Sequence, residues 1–151
     1  MSLTIDSRPF GRIEISEKQI LSFSEGLFGF EEFTTYALIE EDSDSVFKWL
    51  QCLQDPELAF IVVHPNYFLS HYDPLLTEME LQDIGLESIE DSLILLIVTI
   101  PDDNPAHMTA NTQGPVVINP KNKRGKQYIS NDDNHIVRKR IFEANEDSEE
   151  E

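Results

Sequence analysis

The residues that could do chemistry are few, and they are scattered along this chain of 151 residues. His71 and Asp73 lie two residues apart in the tripeptide HYD, and residues at that spacing on a β-strand share one face. A histidine beside a carboxylate could ligate a metal or exchange protons. Catalysis also needs a third, oriented partner, which the sequence does not supply. A small-ligand- or metal-binding β-barrel enzyme that uses His71 and Asp73 is therefore the alternative interpretation, not the leading one.

Motifs of the common enzyme classes are absent from the sequence. It contains no G-x-x-x-x-G-K-[ST] phosphate loop, no G-x-S-x-G nucleophile turn, no H-E-x-x-H metal motif and no C-x-x-C pair. Cys52, the only cysteine, lies in the stretch FKWLQCLQ, which favours a buried thiol over a reactive one. The sequence thus predicts a protein that is not an enzyme, with no catalytic residues, no metal site and no cofactor.

Short runs of β-forming residues separated by turn residues make up most of the chain. Strands are predicted at residues 12–15, 20–23, 36–40, 46–53, 58–64, 93–100, 109–119 and 126–130. Prolines stand at or near their ends, and almost no segment could form a helical crossover. The predicted fold class is mainly β: a small antiparallel β-barrel-like single domain with one or two short helices.

One segment departs from the strand pattern. In PLLTEMELQDIG, Thr77 and Glu80 have the spacing of a capping box, and Gly85 can end the helix in a left-handed conformation. The apolar run at 93–100 is expected to be the central strand. We expect the barrel domain to span residues 1–130, followed by an extension at 131–151 that is basic, then acidic, and partly disordered.

Charge is unevenly distributed along the chain. The formal net charge is −18, of which residues 1–120 carry 4 basic against 21 acidic groups and residues 121–140 carry 7 against 2. Such a body attracts basic proteins and repels nucleic acid and anionic membranes. RNA binding through residues 121–140 remains an alternative, which the acidic body opposes. The single cysteine, the absence of a leader and the shortness of the apolar runs predict a cytoplasmic protein without a membrane anchor.

Aromatic and glycine residues are concentrated in SFSEGLFGFEEFTTY, residues 22–36. Gly26 and Gly29 permit backbone angles closed to other residues, which indicates a tight turn, called the opening turn below. Leu27 and Phe30 are expected to plug the end of the barrel. Phe28, between the two glycines, could instead be presented outward, where a rigid aromatic would serve as a partner-binding hot spot.

Four blocks of the sequence resemble the flagellar assembly factor FliW family, in order and with similar spacing. They are SFSEGLFGFEEFTTYALIE, FKWLQCLQDPELAFIVVHP, LLIVTIP and MTANTQGPVVINPKNKRGKQYI. The resemblance covers about residues 3–129. Three positions depart from the family pattern, which usually has a proline where this chain has Phe28, and a leucine and then a small residue such as alanine where it has Thr112 and Gly114.

The resemblance implies a non-enzymatic regulator with two protein partners. Members of this family bind newly made flagellin and, once it is exported, bind CsrA, an RNA-binding protein that blocks translation of flagellin mRNA. It also implies a small antiparallel β-barrel-like domain. We expect this protein to be a monomer when free, with no direct contact to nucleic acid or membrane.

The expected contacts with the two partners fall in three segments. Apolar anchors for CsrA are expected in PNYFLSHYDP, although Phe68 could instead be core. The opening turn and the loop at 119–125 are expected to contact the amphipathic terminal helices of flagellin. The predicted partner-binding residues are Phe28, Tyr67, Phe68, Tyr72, Asp73, Asn119, Lys121 and Asn122.

Overall fold

Residues 2–40 and 45–142 are described by the structure, a computed structural model of the chain. The described strands are β1 (Ser2–Ser7), β2 (Gly11–Ser16), β3 (Ile20–Ser22), β4 (Thr35–Ile39), β5 (Phe47–Cys52), β6 (Ala59–Val63), β7 (Leu93–Thr99), β8 (Thr109–Ala110), β9 (Val116–Asn119), β10 (Arg124–Gln127) and β11 (Lys139–Arg140). The one α-helix among these residues is α1 (Glu78–Gln82), and short 3-10 turns complete the connections. The predicted mainly β fold is confirmed.

Seven of the described strands close into a barrel. Their order is β3, β4, β5, β6, β7, β9 and β10, and each neighbouring pair from β3 to β10 is antiparallel. The ring closes where β10 meets β3 in parallel, with Arg124 opposite Ser22 and the Ser22 N–H donating to the Lys123 carbonyl at 2.9 Å. The predicted antiparallel barrel is therefore observed with one parallel seam.

Alternate residues of each barrel strand point inward, as the two-residue period requires. On β7, Leu93, Leu95 and Ile97 face the interior, while Leu96 and Val98 face outward. The fully buried interior side chains include Phe23, Tyr36, Leu50, Val62, Leu95 and Ile118. As predicted, β7 is central, because it pairs with β6, β8 and β9.

Three outer faces of the barrel are covered by other parts of the chain. The β1–β2 hairpin packs Ile15 against β4. The helix α1 and the turn after it pack Leu81 and Ile84 against Val117 of β9 and against Tyr128, which follows β10. Residues 130–142, which we call the C-terminal strap, pack Ile141 and Phe142 against the outer faces of β6, β7 and β8. The barrel thus has apolar layers both inside and outside its wall.

The predicted helix is present and is capped as the sequence indicates. The Thr77 hydroxyl accepts from the Glu80 N–H at 3.1 Å, and the Glu80 carboxylate accepts from the Thr77 N–H at 2.9 Å. Gly85 ends the turn with φ +79°. Leu76 joins the cluster of Leu81, which forms a hydrophobic staple at the start of the helix.

Several strand limits differ from the predicted ones. The segment predicted as a strand at 109–119 is divided into β8 and β9 by a loop in which the Asn111 carboxamide accepts from the Gly114 N–H at 2.9 Å. The strand expected at 126–130 begins earlier, at Arg124, where the barrel closes. Strands β1 and β11 were not predicted, since β1 is largely exposed and β11 consists of Lys139 and Arg140 alone.

The division into a domain at 1–130 and an extension at 131–151 remains a prediction. The described part of that extension, 131–142, lies against the barrel, and Ile141 within it is buried. Residues 143–151, which include most of the acidic tail, lie outside the described residues. None of the described helices has the length and hydropathy needed to cross a membrane.

Candidate partner-binding surfaces

The opening turn is built on glycines, as predicted. Gly26 and Gly29 have φ of +68° and +87°. A Cβ at Gly26 would stand 2.6 Å from the Glu31 Cα, so no larger residue fits there without moving the backbone. The turn buries Leu27 in the barrel interior and leaves Phe28 48% exposed. The chain therefore presents one aromatic ring outward at this end of the barrel.

Buried Gln127 holds this turn in place. Its side-chain oxygen accepts from the Phe28 N–H at 2.9 Å, and its amide nitrogen donates to the Gly114 carbonyl at 2.8 Å. A Cβ at Gly114 would lie 3.0 Å from that amide nitrogen and 2.9 Å from that of Asn111. Phe28 and Gly114 thus meet at one glutamine.

A pocket of about 260 Å³ opens beside Phe28. Its floor is apolar, with Leu27, Phe60 and Ile97 closing the interior of the barrel at this end. Phe30 packs edge-on against Phe60, with ring centroids 5.2 Å apart. The rest of the lining is Phe28, Thr99, Asn111, Gln127, Val137 and Arg138. We call this end of the barrel the Phe28 end.

Other exposed apolar side chains belong to the same end. Ile100 follows the last residue of β7, and Ile129 follows β10 by two residues; they are 39% and 61% exposed. Ile136 and Val137 lie on the C-terminal strap, where the Ile136 carbonyl accepts from the N–H groups of Thr112 and Gln113. With Phe28, these make five of the ten large apolar residues that are exposed among the described residues, and such a concentration typically marks a protein-binding surface.

The loop at 119–125 lies at the opposite end of the barrel. Asn119 and Asn122 both donate to the Ile84 carbonyl, at 2.9 and 3.1 Å, and Asn119 also accepts from the Lys121 N–H. These two asparagines therefore fasten the loop to the end of α1. Lys121 is exposed, and it is the member of this trio whose side chain is available to a partner.

A second cavity, of about 420 Å³, lies at this opposite end. Half-buried Leu38 and Leu93 form part of its floor, and Lys18, Lys123 and Glu40 stand at its rim. Lys123 adopts φ +64°, held by its N–H donating to the Asn119 carbonyl at 2.9 Å. The two ends of the barrel thus differ: one presents exposed apolar groups and the other presents charged ones.

Tyr67 and Phe68 follow β6 on the outside of the barrel. Tyr67 is 43% exposed and packs edge-on against Phe47, with ring centroids 5.9 Å apart. Phe68 packs against the cluster of Val63 and Leu96. The structure places Tyr67 at the surface and Phe68 in the outer core, which is the alternative considered for Phe68 from the sequence.

Tyr72 takes part in the packing of the C-terminal strap. Its hydroxyl donates to the Thr112 carbonyl at 2.7 Å, and its ring stacks on His135 with centroids 4.5 Å apart. Burial, followed by the charges of Asp73 and Asp132, raises the pKa of Tyr72 above its ordinary value. A substitution at Tyr72 will therefore change stability as well as any partner contact.

His71 and Asp73 have separate surroundings. Asp73 accepts from the Leu75 N–H at 2.8 Å, where Leu75 adopts φ +56°, and His71 is exposed. Within residues 2–40 and 45–142, no cluster of three or more His, Cys, Asp or Glu side chains could hold a metal ion.

Sequence reasoning missed a contact between Ser130, His135 and Asp132. The Ser130 hydroxyl lies at hydrogen-bond distance from His135 Nδ1, and His135 Nε2 is 3.7 Å from the Asp132 carboxylate. The latter distance is too long for a hydrogen bond. Because Ser130 also accepts from the Asp132 N–H at 3.1 Å, the group closes a turn of the strap rather than forming a catalytic triad. The spacing of DDNH could have indicated it.

The basic segment is partly paired with carboxylates of the same chain. Lys126 Nζ lies 3.1 Å from Asp83 and 3.3 Å from Glu25, and Arg124 donates to the Asp83 carbonyl at 2.8 Å. Although burial opposes the charge, the hydrogen bonds to Asp83 and Glu25 raise the pKa of Lys126. These cations thus attach β10 to the turn after α1.

The only cysteine is buried, as predicted. Cys52 faces the barrel interior beside Leu50 and Val62. Burial raises the pKa of its thiol, which therefore stays protonated and unreactive at neutral pH.

Comparisons with known proteins agree on one family. A model of the FliW protein family matches residues 4–141. The flagellar assembly factor FliW of Leptospira biflexa serovar Patoc is 55% identical over 147 residues, covering 97% of this chain and 96% of that protein. That of Bdellovibrio bacteriovorus is 35% identical, covering 93% and 79%. A crystal structure of a flagellar assembly factor FliW superposes with a TM-score of 0.84 at 31% identity, covering 93% of this chain and 97% of the other.

Proposed function

This chain belongs to the FliW family of flagellar assembly factors, and from that premise we propose that it binds flagellin and, when free of flagellin, binds and antagonises CsrA. Antagonism of CsrA would relieve repression of flagellin translation. The observation that carries the proposal is the match to this family over nearly the whole chain. In this proposal the protein acts in the cytoplasm, is a monomer when free and performs no catalysis.

Flagellin is assigned to the Phe28 end of the barrel. The opening turn and the loop at 119–125 lie at opposite ends, and the seven residues of β7 alone span about 20 Å at roughly 3.3 Å per residue. One helix lying across the Phe28 end would therefore not reach the other loop. Exposed Phe28 and its apolar neighbours supply the groove-like surface that an amphipathic helix recognises.

CsrA is assigned to the outer surface of the barrel near Tyr67 and Asp73. A protein that binds RNA must present positive charge, and residues 1–120 of this chain carry a net charge of −17. An acidic body that covers such a face would compete with RNA for it. Exposed ion pairs contribute little each, so an apolar anchor is also needed, and Tyr67 is exposed and held by Phe47.

The proposal predicts that the two partners respond to different substitutions. Tyr67→Ala should weaken CsrA binding by about fivefold or more and leave flagellin binding unchanged, while Phe28→Ala should do the reverse. Both side chains are exposed, so the melting temperature should change little. Titration calorimetry with purified CsrA and with monomeric flagellin measures both affinities.

The salt dependence of the affinity for CsrA tests the electrostatic contribution to binding. Raising the salt concentration from about 0.1 M to about 1 M shortens the Debye length from about 10 Å to about 3 Å and should weaken CsrA binding. An affinity for CsrA that does not change with salt would refute the proposed electrostatic attraction. Failure of the protein to bind either partner would refute the proposed function as a whole.

A further inference from the structure

Arg138 is a cation without an ion-pair partner among the described residues, at the edge of an apolar pocket. Two other cations of the basic segment, Arg124 and Lys126 on β10, are engaged with Asp83. Arg138 instead is exposed at the rim of the 260 Å³ pocket, beside Val137, which is 51% exposed. A free guanidinium beside exposed apolar surface differs from the acidic character of residues 1–120.

The segment that carries Arg138 is fixed to the barrel on both sides. Before it, the Ile136 N–H donates to the Thr112 hydroxyl at 2.8 Å, and the Thr112 N–H donates to the Ile136 carbonyl at 2.9 Å. After it, β11 pairs with β8, with Lys139 opposite Ala110. The position of Arg138 relative to the pocket is therefore set by the fold, which lowers the conformational entropy lost when a partner binds.

The pocket can receive an apolar side chain from outside. Leu27, Phe60 and Ile97 form its floor, Phe28 and Val137 stand at its rim, and Phe60 and Ile97 are only half-buried. A side chain that covered Phe60 and Ile97 would complete the burial of the barrel interior at this end. Burial of a large aliphatic side chain stabilises a complex by an amount typical of an interface hot spot.

We propose that this pocket is the anchor subsite for the flagellin helix, taking one aliphatic side chain between Phe28 and Val137 while Arg138 pairs with a carboxylate one helical turn away. Residues three or four positions apart lie on the same face of a helix, so one helix can offer both groups. Arginine suits this task because its planar guanidinium can bind a carboxylate through two hydrogen bonds. This inference rests on the proposed binding of flagellin and adds the chemistry of the recognised motif.

Charge reversal at Arg138 tests the carboxylate contact. Monomeric flagellin from the source organism is titrated into the full chain carrying Arg138→Glu, and we expect binding about tenfold weaker with an unchanged melting temperature. Lys18→Glu is the matched control, because it also replaces an exposed cation by a glutamate, at the rim of the cavity at the opposite end of the barrel. The control should change the affinity for flagellin less than twofold, because a single exposed charge away from the binding site contributes little to the binding free energy.

Charge exchange identifies the partner residue. Acidic residues flanking the apolar stripe of the terminal flagellin helices are replaced by lysine one at a time, and one replacement should restore binding to the Arg138→Glu chain. For the apolar subsite, Val137→Ser should weaken binding by about fivefold, whereas Val46→Ser, at an exposed valine on another face, should not.

The outcomes separate this inference from the proposed function. If flagellin binds the wild-type chain and Arg138→Glu or Val137→Ser changes nothing, the subsite is wrong while the function stands. If no lysine replacement restores binding, the pairing with a carboxylate is wrong. If the wild-type chain does not bind flagellin at all, both the subsite and the flagellin-binding function are refuted.

Discussion

At the scale of single residues, buried side-chain amides form hydrogen bonds between loops that are not joined by strand pairing. Gln127 joins the opening turn to Gly114, and Gln51 accepts from the Ser7 hydroxyl at 2.7 Å while donating to carbonyls of the β5–β6 turn. Buried polar groups cost free energy unless they are hydrogen-bonded. These amides therefore specify one arrangement of the loops around the barrel.

His64 permits a prediction about pH. Partial desolvation, followed by the charge of Lys48, lowers the pKa of His64 below its ordinary value of 6.5. Below pH 6.5 the unfolded chain therefore binds a proton at His64 more readily than the folded chain does. The free energy of unfolding falls as the pH drops through 6.5, and this decrease is complete below the folded-state pKa. Lys48→Gln should raise the pKa of His64 in a titration followed by NMR.

The control for this prediction is another lysine. Lys18→Gln should leave the titration of His64 unchanged, since Lys48 and not Lys18 shifts its pKa. A midpoint for His64 at or above 6.5 in the wild-type protein would contradict the assignment.

At the scale of elements, the C-terminal strap determines whether the Phe28 end is complete. The strap supplies Val137 and Arg138 to the pocket, and its own polar contacts run through Thr112 and Tyr72. Thr112 holds Ile136 of the strap through its side chain. Its hydroxyl donates to the Ile136 carbonyl at 2.7 Å and accepts from the Ile136 N–H. The hydroxyl therefore satisfies both backbone groups of Ile136, as a residue on a neighbouring β-strand would.

Removing that hydroxyl should loosen the strap. Thr112→Val keeps the shape of the side chain but leaves the Ile136 N–H without this acceptor, which should cost about 1–3 kcal/mol. Hydrogen exchange of residues 131–142 should become faster, and flagellin binding should weaken with it. Gln113→Ala, at an exposed neighbouring side chain, is the control. Equal protection of the strap in both variants would show that the hydroxyl does not hold it.

At the scale of the whole molecule, the net charge of −18 limits stability. Like charges on a compact body repel one another, and salt screens that repulsion. The melting temperature at neutral pH should therefore rise when salt is added from about 0.01 M to about 0.1 M, a range in which the Debye length falls from about 30 Å to about 10 Å.

A measurement near the isoelectric point serves as the control for that effect. At a pH close to the pI of 4.4 the net charge is small, so the same addition of salt should change the melting temperature little. If salt lowered the melting temperature at neutral pH, attractive ion pairs such as Lys126 with Asp83 would outweigh the net repulsion.

Much of the architecture could be predicted because it depends on local patterns. The alternation in β4, β5, β6 and β7, the capping box of Thr77 and the glycine turn at Gly26 are each determined by neighbours a few residues away. The limits of β8, β9 and β10 could not be predicted, since they depend on where the sheet closes. The two-residue strand β11 forms only because β8 offers it an edge.

The sequence by itself determined the fold class, the acidity, the family resemblance and the glycine turn that carries Phe28, but it left the direction of that ring open. Only the tertiary structure decided that Phe28, Val137 and Arg138 surround one pocket, that the loop at 119–125 lies at the other end, and that Tyr72 is occupied by the strap. The physical reason is that local propensity acts over a few residues, whereas a surface is assembled by closure of the barrel, which brings together residues about one hundred positions apart.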